Sequence, residues 1–196
     1  MGISLLPHSL KFFIVIATVF AFGNFSYMFF VLRAQEAFTG ELAIGIPILL
    51  YVLYNVFYAG FSVPAGMLSD KIGRKGALTI GYLLFTVTCL GFAFFQSLLF
   101  LVLFFILFGL VFAFVDGNQR AMVSDLSPAG IRGTALGTYH TSIGIAALPA
   151  SLIAGTLWQY MGSVSTFYYG AVLGILATFL LVFCKGSRLK PSATKN

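Results

Sequence analysis

Four sets of polar side chains stand out in a chain that is 60% apolar and only 8% charged. Asn24, Ser26 and Tyr27 follow Gly23 inside an apolar run, at a depth where their polar groups must face protein or water rather than lipid. Such groups form directed hydrogen bonds, to a neighbouring helix or to a solute. Tyr51, Asn55 and Tyr58 lie at i, i+4 and i+7, so a helix brings them to one face, with Tyr54 beside them. His140, next to Tyr139, Thr141 and Ser142, can exchange protons near neutral pH, which suits proton coupling. A neutral imidazole bonded to a neighbouring helix accounts for it equally. Asp116 and Arg120 are four apart and pair across one helical turn; Arg74 lies in the same relation to Asp70.

Other chemistries have no residues to carry them. There is no phosphate-binding glycine loop, no nucleophile elbow and no pair of catalytic carboxylates. No His, Cys and carboxylate set has metal-ligand spacing. We therefore expect no enzyme, no metal and no cofactor. Cys89 and Cys184 both fall in apolar segments and read as unpaired.

The elements that hold these residues follow from hydropathy. With 23 Phe among 196 residues, 17% aromatics and a mean hydropathy of +1.01, the solvent around this chain must be lipid. Six segments, near 12–32, 43–65, 77–96, 98–121, 133–157 and 165–184, each suffice to cross about 30 Å of hydrocarbon. Only helices satisfy the backbone in spans of this length, so the expected fold is all-α. All the cations but Arg33 fall on one side of this map. That bias puts both termini in the cytoplasm and makes 185–196 a polar cytoplasmic tail. Arg33 and Glu36 read as interfacial. Pro64 and Pro149 are expected to bend their spans. Small residues at every fourth position mark helix seams: Gly109, Ala113, Gly117 and Ala121; Ala147, Ser151 and Gly155; Thr166, Gly170, Gly174 and Thr178.

The most charged stretch is Gly66-Met67-Leu68-Ser69-Asp70-Lys71-Ile72-Gly73-Arg74-Lys75, read as a short turn between the second and third spans. Here Asp70 is expected near a helix N-terminus and an arginine, both of which favour its charge. The stretch resembles the G-x-L-x-D-x-x-G-R-K signature of the major facilitator superfamily, with Gly66, Asp70, Gly73, Arg74 and Lys75 in register. A shift of 89 residues also lays Gly66, Leu68, Ile72 and Gly73 on Gly155, Leu157, Met161 and Gly162, and Gly81 on Gly170. Each copy holds three helices, so the copies lie in the membrane with opposite orientation, a 3+3 inverted repeat.

The resemblance covers nearly the whole chain and matches the C-terminal six-helix half of such proteins. It implies a solute carrier working by alternating access and driven by an ion gradient, whose cavity is completed by a second copy of this chain or by a separate half, unless the chain is a truncated product. By the same resemblance Asn24, Ser26, Tyr27, Tyr51, Asn55 and Tyr58 are the candidates for lining that cavity. Asp70, Arg74, Asp116 and Arg120 become a cytoplasmic charge network that clamps one conformational state. The aromatic, nearly uncharged spans point to a neutral or lipophilic solute, and the plasma membrane is the expected location. The alternative is a membrane scaffold or partner subunit that transports nothing.

Overall fold

A computed structural model describes residues 6–183, and the expected tail at 185–196 lies outside them. The elements are α1 (His8–Gly23), α2 (Met28–Gln35), α3 (Leu42–Ile72), α4 (Arg74–Phe94), α5 (Leu98–Asp125), one 3-10 turn (Ala129–Ile131), α6 (Arg132–Met161) and α7 (Ser163–Phe183). They give six helices long and apolar enough to cross a membrane, α1 and α2 together making the first.

Two differences from the expected spans matter. The first span is not continuous: between Gly23 and Met28 the backbone leaves the helix. The second runs on well past residue 65. At 1.5 Å per residue, the 31 residues of α3 measure about 46 Å, so its last turns stand clear of a hydrocarbon layer of about 30 Å. Residues Gly66 to Ile72 are therefore helix, and the turn contracts to Gly73. That glycine has φ 86° and ψ 150°, a left-handed conformation that a side chain would strain. Asp70 consequently sits in the last turn of α3 rather than at a helix start. Gly162 makes the equivalent turn between α6 and α7 with φ 88° and ψ 163°, and it lies 89 residues after Gly73.

Pro64 and Pro149 lie within α3 and α6, which run on through both. Helix α4 sits between α5 and α7, α3 lies against α5, and α1 lies against α6 and α7. Of its most apolar window, α4 buries 61%, whereas α3 and α6 each bury 17%. These two helices thus leave long apolar faces uncovered.

The small-residue seam of α7 is buried along its whole length, at Thr166, Gly170, Gly174 and Thr178. On α5 the seam holds at Gly109 and Ala113, while Gly117 is exposed. On α6 the buried stripe is Ala146, Ala150 and Ala154, one residue away from the expected Ala147, Ser151 and Gly155. Several small residues flank one another there, so periodicity alone leaves the helix rotation open by about 100°.

Candidate functional site

The break in the first span creates the site. The Asn24 N–H bonds the Phe20 carbonyl at 2.9 Å and closes α1. The carbonyls of Ser26 and Tyr27 then accept the N–H groups of Phe29 and Phe30, at 3.1 and 3.0 Å, and open α2. The Ser26 hydroxyl oxygen accepts the Met28 N–H at 3.3 Å. Backbone groups freed inside a membrane need partners from neighbouring helices. Tyr169 of α7 supplies one, its hydroxyl donating to the Phe22 carbonyl at 2.7 Å. Close packing holds the break in place: a Cβ on Gly23 would lie 2.6 Å from the Cβ of Leu173, and one on Gly170 would lie 2.9 Å from the Phe25 ring. The Asn24 Oδ1 is buried without a hydrogen-bond partner.

Beside Asn24 a cavity of about 180 Å³ opens between α1, α5 and α6. Asn24, Asp116, Gln119 and Tyr139 line it with polar groups, Phe20 and Phe112 with rings. Gln119 is held from two sides: the Tyr139 hydroxyl donates to its Oε1 at 2.6 Å, and its Nε2 donates to the Tyr82 hydroxyl at 2.8 Å. Asp116 accepts two bonds at Oδ2, both 2.8 Å, from the Tyr58 hydroxyl and from Arg120.

This divides the expected charge network in two. Asp116 and Arg120 pair across one turn, but Asp116 lines the cavity. Arg74 instead binds Asp70 at 2.9 Å and Asp125 at 3.5 Å, with Ser69 and Asn118 hydrogen-bonded to the same guanidinium. Among the described residues no ion pair joins one group to the other. The reason is helical phase: Asn118 and Asp125, seven residues apart, share the face of α5 that meets Arg74, whereas Asp116 lies about 160–180° round the helix from them.

The tyrosines form a line. Tyr27 stacks on Tyr51 with ring centroids 4.9 Å apart, Tyr51 on Tyr54 at 5.6 Å, and Tyr54 on Tyr58 at 6.2 Å. Tyr54 takes the place expected for Asn55, which is exposed and donates back to the Tyr51 carbonyl of its own helix. His140 is exposed on α6, its ring 4.9 Å from that of Tyr139, and is not among the residues lining the cavity. Gln119, three residues after Asp116, and Tyr139, next to His140, line the cavity with no sequence pattern of their own beyond that proximity.

Arg33 is 6% exposed. Its guanidinium donates to the Phe92 carbonyl at 3.0 Å, to Ser163 at 2.9 Å and to Glu36 at 2.5 Å, tying α2 to the C-terminal end of α4 and the start of α7. Among the described residues no three His, Cys, Asp or Glu side chains form a metal-binding group.

Comparison with known proteins gives this geometry a context. The family model described as Major Facilitator Superfamily matches residues 12–196. An MFS-type transporter of Methanocaldococcus jannaschii is 54% identical over 185 residues, covering 93% of this chain and 46% of that protein. The multi-drug resistance efflux pump PmrA of Streptococcus pneumoniae is 29% identical over 152 residues, covering 77% of this chain and 36% of the pump. The chain thus spans about half the length, or less, of these relatives. Among solved structures, the peptide transporter POT in complex with sulfate superimposes with a TM-score of 0.76 at 19% identity, over 96% of this chain and 40% of that one.

Proposed function

The chain belongs to the major facilitator superfamily, and from that membership we propose that it is one six-helix half of a carrier that moves a small lipophilic solute by alternating access, driven by an ion gradient. The observation that carries this reading is the cavity at Asn24 and Asp116, where the buried Asn24 Oδ1 stands without a partner inside an apolar bundle. Polar groups at that depth are costly unless they bind or conduct something.

A second half, in the same polypeptide or as a partner copy, would cover the exposed faces of α3 and α6 and close the cavity from the other side. The uncovered share of those helices and the length of the relatives support this. The two glycine turns 89 residues apart support the 3+3 inverted repeat. Lys71, Arg74 and Lys75 on one side of the turn map support a plasma-membrane protein with cytoplasmic termini. His140 is the candidate for carrying a coupling proton, since it is exposed beside Tyr139. The Arg74 cluster would clamp the state closed to the cytoplasm, an ion-pair set that biases the equilibrium by its differential energy.

The test is ligand-dependent stability. The full-length polypeptide in detergent is heated with a panel of small solutes, alongside Asn24→Leu. A carrier gains thermal stability from at least one solute, by mass action on the folded state, and loses that gain in Asn24→Leu. A scaffold shows no solute response and tolerates the substitution.

A further inference from the structure

The Tyr139 and Tyr58 hydroxyls donate to Gln119 and Asp116, and the Gln119 amide donates to the Tyr82 hydroxyl. Acceptors remain. The Asn24 Oδ1 has no partner. Asp116 takes Tyr58 and Arg120 on Oδ2 alone, so its Oδ1 is without a partner among the described residues. Phe20 and Phe112 complete the wall with hydrocarbon.

We propose that this cavity receives the protonated amino group of a small lipophilic amine, with Asp116 and Asn24 accepting its N–H groups and the phenylalanine wall holding its hydrocarbon part. The assignment rests on the carrier reading above and names its substrate class. An ammonium group supplies two or three donors and a positive charge to two vacant oxygens, and a charge-assisted bond is about twice as strong as a neutral one. A carboxylate solute would set its charge against Asp116 and leave both acceptors unpaired. A neutral alcohol could satisfy one of them only. The carboxylate in the cavity narrows the expected neutral or lipophilic solute to a lipophilic cation.

The experiment uses the full-length polypeptide in lipid nanodiscs at neutral pH, with tritiated 2-phenylethylamine as the bound probe. Its competitors are 2-phenylethanol, the neutral analogue, and phenylacetate, the anion. The amine is expected to bind, the alcohol to compete at least about tenfold less well, and phenylacetate not to compete, since a hydrogen bond to a charged group accounts for about that ratio. Asp116→Asn should weaken amine binding by a similar factor. Asp116→Glu, which restores the charge, should recover most of the affinity lost in Asp116→Asn, and monodisperse elution of both variants with a wild-type thermal midpoint reports that the fold is intact. Competition by phenylacetate or the alcohol equal to the amine would overturn the assignment. So would full amine affinity in Asp116→Asn, or no binding of the amine by monodisperse protein. These failures leave the carrier reading in place, because that reading falls only if solutes of every class leave stability unchanged.

Discussion

The Tyr169 hydroxyl donates to the Phe22 carbonyl at 2.7 Å, on the turn where the first span stops being a helix. One side chain from α7 therefore stabilises a backbone break in another helix, next to the unpaired Asn24 Oδ1. The break, the cavity and the α1–α7 seam form one unit.

If so, Tyr169→Phe should loosen the break without unfolding the bundle. The lost bond is worth about 1 kcal/mol, which corresponds to roughly fivefold faster amide exchange over residues 24–29. Hydrogen-exchange mass spectrometry would measure it. Exchange unchanged there, or raised evenly across all helices, would count against the link.

Packing at the same place is the second check. A Cβ on Gly23 would stand 2.6 Å from that of Leu173, so Gly23→Val overpacks the seam and should cost about 1–3 kcal/mol. Thermal unfolding of the detergent-solubilised protein reads this directly, and an unchanged midpoint would show that the seam gives way.

Arg33 carries the outer end. Arg33→Met removes the donors of Phe92, Ser163 and Glu36 at once. The expected loss is about 2–3 kcal/mol, less than for a fully buried pair because Glu36 keeps part of its water. Arg33→Lys should recover less than half, since one ammonium cannot reproduce the planar fork. Equal stability of the Lys variant and wild type would refute that geometry.

At the inner end, Asp70→Asn removes one of two carboxylates on Arg74. Both are half or more exposed, so stability should change by under about 1 kcal/mol. The larger effect expected is on the conformational balance, read as altered labelling of a cysteine at a cavity position in inside-out vesicles. Solute affinity changed with labelling unchanged would reverse that assignment.

Much of this architecture was legible in the sequence. Apolar runs gave six spans because each must satisfy its backbone alone in lipid. Gly73 and the charges around it marked the turn between α3 and α4, and Asn24 marked the cavity, because a buried amide in an apolar run needs a reason. The rest depended on rotation and depth. A stripe of small residues on α6 did not say whether Ala146 or Ala147 faces inward. Arg33 looked like a membrane-edge cation because its partners are backbone carbonyls of Phe92 and Ala93, which no side-chain pattern reveals. The break at Asn24 has no proline to announce it, and Tyr169, which stabilises it, lies far along the chain.

The proposed second half has its own test in native membranes. A tag placed after Asn196 should report a polypeptide near twice the mass of this chain. A band at the mass of this chain, with no cross-link to a second copy through α3 or α6, would leave the exposed faces unexplained.

The central claim is that the Asn24–Asp116 cavity opens in turn to each side of the membrane. The most direct measurement places a cysteine at Ala21, which lines that cavity, in the full-length polypeptide with Cys89 and Cys184 replaced by alanine. An impermeant maleimide is then applied to right-side-out and inside-out vesicles separately. Alternating access predicts labelling from both faces, with each rate slowed by a bound solute. Labelling from neither face, or from one face alone under every condition, would contradict it.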